Sequence, residues 1–345
     1  MKRYLTGKNR GHVPPVRVPE IGHFLAALAA AVVLSSSASP ATGTPGAPRE
    51  IGGNVPSIHV PPHSSPQVVK DDFGRPFTLP AAAPGRIVSM APNVTEILFA
   101  IGLGPNVVGV TRFCDHPPEA LSLPKIGGLV DPNIEIILSL RPDLVIAFRG
   151  NPLRLLDRLS ELKLPVFALD AGGDLDALTE LILRIGLITR RENEARALSD
   201  ELRARERTVA SALGDILKRP RVFVFLYGQG LWTCGGQSYL NDVISRAGAV
   251  NIAAAVPKKW ALYSRESIVR DDPDAVFILA KSEADFAAAR VWLAGEGRMG
   301  SIAAVAAGRV YFLDENAASR FGPRLVDVLD RMARALHPGR FGGRP

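Results

Sequence analysis

The chain has 345 residues, of which 47% are hydrophobic, and its formal net charge is +7. This length predicts one large domain or two ordinary domains with a substantial buried core. Residues 1–20 hold five basic side chains and one acid, so they supply +4 of the charge and about +3 is left for the rest. A charge this small over roughly 300 residues does not indicate a nucleic-acid-binding protein.

Residues 1–38 are predicted to be a signal peptide that is cleaved on export. Basic side chains precede the apolar run 24–34 (FLAALAAAVVL), and small residues follow it, so we expect cleavage near Ala38. The run has 11 residues, which suits a secretory signal and is too short to span a bilayer. It has no nearby cysteine for a lipid anchor. Residues 39–67 are rich in proline, glycine and serine, and we interpret them as a flexible linker.

From residue 68 onward, strand-like and helix-like segments alternate. Residues 68–80 (VVKDDFGRPFTLP) predict a short hairpin. Bounded apolar runs of the kind found in buried parallel strands occur at 86–91, 142–148, 166–170, 221–228, 274–280 and 309–314. Helix-like segments lie between them at 95–102, 175–188 and 240–248. The alternation is typical of an α/β fold.

One unit of sequence occurs twice. Residues 135–148 (EIILSLRPDLVIAF) and 266–279 (ESIVRDDPDAVFIL) both begin with glutamate and have Pro-Asp at the same distance from it, followed by an apolar strand. Proline ends a helix, and the aspartate suits a turn into the strand. The repeat predicts two similar lobes, at 68–190 and 220–338, with a short tail at 339–345.

Residues 191–219 connect the two lobes and predict one long helix. Apolar side chains recur at near-helical spacing among charges, and Pro220 ends the pattern. A helix of about 28 residues would be about 42 Å long. Because such a helix is a stiff connection, we expect the lobes to rock slightly and not to swing wide open.

The sequence does not indicate a metal site or a catalytic centre. Of six histidines, only His116 and His337 lie outside the predicted signal peptide and linker, whereas zinc and manganese sites usually need several converging ligands. No nucleophile elbow, P-loop or H-E-x-x-H motif occurs. We therefore predict that the protein is not an enzyme and holds no metal or cofactor. A secreted enzyme of unknown substrate is the less favoured alternative.

The two cysteines, Cys114 and Cys234, fall in different predicted lobes. Two cysteines in an exported protein suggest one disulfide. A bond between these two would lock a cleft shut and prevent reversible capture of a ligand. We favour free thiols, and the disulfide stays open as the alternative.

Aromatic and guanidinium side chains follow the predicted strand ends of both lobes. Ligands of α/β folds bind at the carboxyl ends of the strands. Most aromatic residues of a protein pack in its core. The aromatic residues at these strand ends, however, lie beside glycine, arginine and cysteine. A cleft lined by flat rings and a few hydrogen-bond donors suits a large, flat, partly apolar ligand. The candidate ligand-binding residues are Phe113, Phe148, Arg149, Trp232, Trp260, Tyr263 and Arg320.

Residues 68–338 resemble the substrate-binding proteins of ABC importers that have a rigid helical backbone, those that handle cobalamin, ferric siderophores and haem. The stretches that carry the resemblance are RIVSMAPNVTEILFAIGLGPNVVGVT, CDHPPEA, LPKIGG, NIEIILSLRPDLVIA, GGQSYLNDVISRAGAVNI and GPRLVDVLDRMARALHP. The resemblance implies a class III periplasmic binding protein, in which one long helix joins two Rossmann-like lobes. It also implies a periplasmic monomer that delivers a small molecule to an inner-membrane permease.

Within this family, the members that bind cobalamin are the most similar. The resemblance implies that Phe113 contacts the ligand, that Phe148 and Trp232 replace a tryptophan and a phenylalanine there, and that Trp260 matches a tryptophan. Arg320 corresponds to a polar contact. The disulfide of those relatives does not map onto this chain.

The resemblance also assigns a role to the two glutamates that begin the repeated unit. Glu135 and Glu266 align with a pair, one in each lobe, that docks onto arginines of the permease. A glutamate in the first turn of a helix is also favourable with the helix dipole, so the position alone does not prove docking.

The chemistry of the ligand separates three alternatives. A corrinoid already holds its cobalt, so its receptor needs apolar surfaces and donors for peripheral amides and no histidine ligand. A haem receptor more often offers an axial tyrosine or histidine, for which Tyr227 and Tyr263 are candidates. An anionic ferric siderophore needs positive charge, which Arg112, Arg149 and Arg320 could supply. We predict a corrinoid, with the other two as alternatives.

Overall fold

The computed structural model describes residues 67–228 and 230–342. The predicted signal peptide and nearly all of the predicted linker lie outside these residues. The described part is an α/β structure of two lobes. None of its helices combines the length and the apolar character needed to cross a membrane.

The first lobe contains a four-stranded parallel sheet. Its strands, in the order β4-β3-β5-β6, are β3 (Ile87–Ser89), β4 (Val107–Val110), β5 (Leu144–Phe148) and β6 (Val166–Leu169). Its helices are α1 (Pro92–Ala100), α2 (Ile134–Ser139), α3 (Leu153–Glu161) and α4 (Leu175–Thr189). The strands are buried almost throughout. Burial on both faces explains why each strand is a continuous apolar run in the sequence.

A hairpin precedes this sheet, as the sequence predicts. Strands β1 (Val68–Lys70) and β2 (Pro76–Thr78) pair antiparallel. The turn between them contacts the edge of the sheet, because the Asp72 backbone N–H donates to the Ala168 carbonyl at 3.0 Å. The Asp170 N–H donates in turn to the Asp72 carboxylate at 2.8 Å. The hairpin tip therefore lies beside the carboxyl end of β6.

The second lobe contains a six-stranded mixed sheet. In sheet order β10-β8-β7-β11-β12, with β9 beside β7, the strands are β7 (Arg221–Leu226), β8 (Trp232–Cys234), β9 (Val250–Asn251), β10 (Trp260–Leu262), β11 (Ala275–Ala280) and β12 (Val310–Asp314). Its helices are α6 (Tyr239–Arg246), α7 (Arg265–Asp271), α8 (Glu283–Gly295), α9 (Ala303–Ala306), α10 (Glu315–Ser319) and α11 (Leu325–Leu336). The pairs β7–β8 and β8–β10 are antiparallel, whereas β7, β9, β11 and β12 run parallel.

The repeated sequence unit has the same backbone geometry in both lobes. The residue before each proline has a positive φ angle, 46° at Arg141 and 36° at Asp272. The right-handed helical region is disfavoured before proline, so the helix ends there in both copies. Each following aspartate accepts hydrogen bonds from the start of the neighbouring strand: Asp143 from the Arg86 N–H at 3.0 Å and Asp274 from the Arg221 N–H at 2.8 Å.

The helix between the lobes is shorter than predicted. It is α5 (Glu192–Leu213), with 22 residues, which corresponds to about 33 Å. The expected helix over 191–219 is therefore too long at its carboxyl end. Gly214 follows the last helical residue with a φ angle of 51°, a conformation that glycine adopts without a steric penalty.

Ionic and apolar contacts join the two lobes along this helix. Arg246 of α6 contacts Asp176 of α4 at 2.8 Å, Glu206 of α5 at 3.2 Å and Asp242 of its own helix at 2.8 Å. The Leu175 N–H that begins α4 also donates to Asp242 at 3.0 Å. The largest cluster of buried apolar side chains includes residues from both lobes and from α5. The lobes thus share one core.

Candidate functional site

The carboxyl edges of the two sheets meet at a contact between loops. The segment that follows β4, residues 111–117, is called the Phe113 loop below. Asp115 of this loop accepts a hydrogen bond from the Asn316 side chain of α10, which follows β12, at 3.0 Å. Loops at the carboxyl ends of both sheets therefore meet here, and the carboxyl ends of strands are where α/β folds bind ligands.

Phe113 is half-buried and packs against the core that the lobes share. The Arg112 guanidinium lies 5.1 Å from the centre of its ring. Arg112 also forms a bidentate ion pair with Asp131, with nitrogen–oxygen distances of 3.0 to 3.1 Å. The ring is thus held between apolar side chains and a cation whose charge is already balanced.

Phe148 is the last residue of β5, one of the two inner strands of this sheet, and Arg149 follows it. Phe148 is buried, and its N–H donates to the Asn151 side chain at 2.9 Å. Arg149 is exposed and pairs with Asp170. Its guanidinium lies 5.5 Å from the ring centre of Phe73, at the tip of the first hairpin. Phe73 packs against a separate core cluster from the one that Phe113 and Phe148 join. Asp170 is the partner of a candidate residue, and the sequence did not reveal it.

Trp232 and Trp260 lie on short antiparallel strands, not on the loops that the sequence suggested. In the β8–β10 pair, Trp232 lies opposite Leu262 and Trp260 lies opposite Cys234. Side chains two residues apart, and those directly opposite them, share a face of a sheet. These four residues therefore share one face, on which both tryptophans pack against the core common to the lobes.

Leu262 is a further member of this face that the sequence did not reveal. Trp232 pairs with Leu226, the last residue of β7, so the Trp232–Leu262 pair lies at the carboxyl edge. Leu262 is 64% exposed, although it lies directly opposite a half-buried tryptophan. An exposed leucine beside an aromatic ring at this edge offers apolar surface to a ligand.

Two glycines keep this ribbon in place. The N–H groups of Gly235 and Gly236 donate to the carbonyls of Lys259 and Val256 at 3.1 and 2.9 Å. A Cβ on Gly236 would overlap the Ala254 carbonyl oxygen. The pair of glycines therefore lets the segment before Trp260 approach β8 closely.

The structure does not bring Tyr263 to the other predicted ligand-binding residues. Its ring packs in a second core cluster on the opposite face of the sheet, 5.9 Å from the Phe223 ring centre. Its hydroxyl donates to the Asp271 carboxylate at 2.6 Å. Tyr227 packs against the same second cluster. The two tyrosines considered as haem ligands therefore lie apart from Phe113 and Trp232.

Arg320 contacts the backbone of Phe113. Its side chain is 4% exposed and contacts Asp115 at 2.6 Å. It also donates to the Phe113 carbonyl at 3.0 Å. Arg320 is thus placed at the predicted site, yet its surroundings are protein groups.

The arginines of the siderophore alternative are each paired with a carboxylate. Arg112 contacts Asp131, Arg149 contacts Asp170, and Arg320 contacts Asp115 and Glu96. Within residues 67–228 and 230–342, no group of three or more histidine, cysteine or acidic side chains could hold a metal ion. These three positions consequently offer little unbalanced positive charge to an anionic ligand.

Both cysteines are free and buried, which decides between the alternatives that the sequence left open. Burial raises the pKa of the Cys234 thiol to about 12. Burial also raises the pKa of Cys114, although hydrogen bonds with Thr111 and Thr95 oppose the shift. Because a thiol reacts as its thiolate, both should be unreactive in the folded protein.

Glu135 and Glu266 occupy equivalent exposed positions in the two lobes. Each lies in the first turn of a short helix, α2 or α7. The side chains of Asn133 and Ser264 cap these helices by accepting from backbone N–H groups. Hydrogen bonds with its own backbone N–H and with Ser264 lower the pKa of Glu266, so its carboxylate stays charged at neutral pH.

Comparison with known proteins agrees with this architecture. The chain belongs to the periplasmic binding protein family, whose model matches residues 87–317. The vitamin B12-binding protein of Pectobacterium carotovorum subsp. carotovorum (strain PC1) is 31% identical over 263 residues, which cover 75% of this chain and 91% of that protein.

Solved structures support the same fold. The periplasmic vitamin B12 binding protein BtuF of Vibrio cholerae has a TM-score of 0.64 and 28% identity, over 75% of this chain and 98% of that one. A periplasmic haem binding protein from Pseudomonas aeruginosa has a TM-score of 0.66 and 28% identity, over 76% and 95%. The predicted class III fold, two α/β lobes joined by one helix, is confirmed.

Proposed function

We propose that this protein is the substrate-binding component of an ABC importer and captures a corrinoid, a vitamin B12-like molecule, between its lobes. The observation that carries the proposal is the position of Phe113 and Trp232. These half-buried rings lie at the facing carboxyl edges of the two sheets and pack against one core. A flat macrocycle can lie between such rings, and its peripheral amides can accept from exposed donors such as Arg149.

The charge balance favours a corrinoid over a ferric siderophore. A corrinoid brings its metal inside the ring, so its receptor needs neither a metal ligand nor a strong positive field. The arginines that would attract an anionic complex are each paired with a carboxylate. Pairing cancels most of their long-range attraction for an anion.

A haem receptor is the second candidate, because the haem binding protein of Pseudomonas aeruginosa has the same fold and 28% identity. An axial protein ligand would be expected for haem iron. The Tyr263 hydroxyl is engaged with Asp271 and lies on the other face of the sheet. This arrangement supports the corrinoid over haem.

We also propose where the protein is located and which partner it has. The protein is exported to the periplasm by a cleaved signal peptide, acts as a monomer, and delivers its ligand to an inner-membrane permease. Glu135 and Glu266 dock onto that permease, one from each lobe. The protein is a transport component and not an enzyme, and it holds no cofactor of its own apart from the transported ligand.

A panel of ligands in one equilibrium dialysis assay tests the assignment. Purified protein lacking the signal peptide is dialysed against cyanocobalamin, haemin and ferric siderophores of different charge. We expect saturable binding of cyanocobalamin in the micromolar range or tighter. Preferential binding of haemin or of a ferric siderophore would replace the corrinoid with that ligand and leave the receptor class intact.

A further inference from the structure

One ion cluster joins the two lobes at the Phe113 loop. Arg320 follows α10 in the second lobe, and its guanidinium crosses to the first lobe. There it donates to both oxygens of Asp115, at 2.6 and 3.0 Å, and to the Phe113 carbonyl at 3.0 Å. Three hydrogen bonds from one side chain thus end on two residues of the same loop.

A second arginine and a buried glutamate complete the cluster. Glu96 of α1 is buried and accepts from Arg320 at 3.3 Å. Arg324 donates to the same carboxylate at 2.6 and 3.0 Å. The neighbouring Asn93 side chain donates to the Phe321 carbonyl at 3.2 Å. The Arg320 guanidinium, which comes from the second lobe, is thus held by three groups of the first lobe: the Asp115 and Glu96 carboxylates and the Phe113 carbonyl.

We propose that Arg320 is a positioning residue for ligand binding: it holds the Phe113 loop from the opposite lobe, so that the Phe113 ring is oriented before the ligand arrives. The predicted effect on ligand affinity rests on the proposed function. The predicted effect on the order of the Phe113 loop does not. Arg320 then acts through Phe113 and does not itself touch the ligand, because its side chain is 4% exposed and both of its terminal nitrogens donate to protein groups.

The chemistry of the guanidinium suits this role. Its planar fork can donate to a carboxylate and to a carbonyl at the same time, which a lysine ammonium cannot do with the same fixed geometry. Burial alone would raise the pKa of Asp115, but the hydrogen bond and charge of Arg320, with the charge of Arg324, lower it below its ordinary value. The carboxylate end of the contact therefore stays ionised at neutral pH.

Holding a loop from the other lobe has a consequence for binding. An aromatic ring on an untethered loop must be ordered when the ligand binds, and that ordering reduces affinity. The contact removes this cost and also couples the orientation of Phe113 to the separation of the lobes. Loss of Arg320 should therefore weaken binding only while Phe113 is present to be positioned.

Hydrogen exchange tests the structural part without any ligand. The variant Asp115→Asn weakens the contact at a side chain that is 41% exposed, so we expect the fold to persist. We expect amide exchange in the Phe113 loop to become about tenfold faster, as for loss of a charged hydrogen bond. The matched control is Asp330→Asn, which removes a carboxylate of 35% exposure from an ion pair within α11. Equal exchange of the loop in wild type and Asp115→Asn would contradict the proposal.

A double-mutant cycle with cyanocobalamin tests the functional part. We expect Arg320→Met to weaken affinity about tenfold in the wild-type background and less than about twofold in a Phe113→Ala background. Asp115→Asn is run through the same cycle, in case Arg320→Met does not fold. An equal loss in both backgrounds would mean that Arg320 acts independently of Phe113, and the proposal would be wrong. If wild type does not bind cyanocobalamin, the proposed ligand fails, and the exchange result alone decides whether Arg320 holds the loop.

Discussion

Trp232 lies directly opposite Leu262 in the antiparallel pair of β8 and β10, at the carboxyl edge of the second sheet. This relationship places an exposed aliphatic side chain beside a predicted ligand-binding ring. Leu262 was not a candidate from the sequence. The residues around it in the chain do not indicate that it pairs with Trp232, thirty residues earlier.

We expect Leu262→Ser to weaken cyanocobalamin binding roughly tenfold, because an apolar contact with the macrocycle is lost. The control is Val291→Ser on α8, since Val291 is 75% exposed and belongs to a helix that packs on the opposite face of the sheet. Isothermal titration of both variants measures the difference. If the two substitutions have the same effect on affinity, Leu262 does not contact the ligand.

Gly236→Ala should destabilise the protein by about 1–3 kcal/mol, as for other overpacked sites. The new Cβ would overlap the Ala254 carbonyl oxygen, so the segment before Trp260 must move. Gly295→Ala is the matched control, because a Cβ there meets no atom within 4 Å. Urea unfolding provides the free energies. A Gly236→Ala variant as stable as Gly295→Ala would show that this close approach has no energetic importance.

The contribution of one carboxyl group, that of Glu315, to the stability of the protein should fall between pH 4.5 and pH 7. Burial raises the pKa of Glu315 from 4.5 to about 7, and the nearby Lys281 opposes the shift only in part. In this window the folded state retains a proton that the unfolded state has lost. The contribution of Glu315 to stability therefore decreases as pH rises, by about 1.4 kcal/mol per pH unit.

Glu315→Gln removes this titration and tests the prediction. Relative to wild type, we expect the variant to gain about 3 kcal/mol of stability between pH 4.5 and pH 7.5. Urea unfolding across this range measures the difference, with Glu283→Gln as an exposed control. Parallel stability profiles for wild type and Glu315→Gln would contradict the assigned pKa.

A Glu135→Ala, Glu266→Ala double variant should bind ligand as tightly as wild type but fail to stimulate the ATPase activity of its transporter. Both side chains are exposed and lie on separate lobes, so their removal does not disturb the core. A Glu161→Ala, Glu283→Ala variant, which also loses one exposed glutamate per lobe, is the control. Full stimulation by the first variant would reject the docking role.

The sequence was most informative where structure depends on local chemistry. The two Pro-Asp units could be predicted as equivalent because proline ends each helix and the aspartate then binds the neighbouring strand over a short distance. The strand-end positions of Phe113 and Phe148 followed from the alternation of strands and helices. These features need no knowledge of how the lobes pack.

Features that depend on packing between distant segments were less accessible. The β8–β10 ribbon has strands of three residues, too short for a periodic signal, so Trp232 and Trp260 were expected on loops. The burial of Arg320 depends on Asp115 and Glu96, more than two hundred residues earlier in the chain. The helix between the lobes ends at Leu213 because of a single glycine.

The most direct test of whether a corrinoid is held between the lobes is a calorimetric titration of wild type and Trp232→Ala with cyanocobalamin. We expect saturable one-to-one binding to wild type in the micromolar range or tighter. We expect affinity to be lower by about fivefold or more when the Trp232 ring is removed, because stacking on an aromatic face contributes about 1 kcal/mol or more. Absence of saturable binding to folded wild type at micromolar concentration, or equal affinity of the two proteins, would contradict a corrinoid held between the lobes against Trp232.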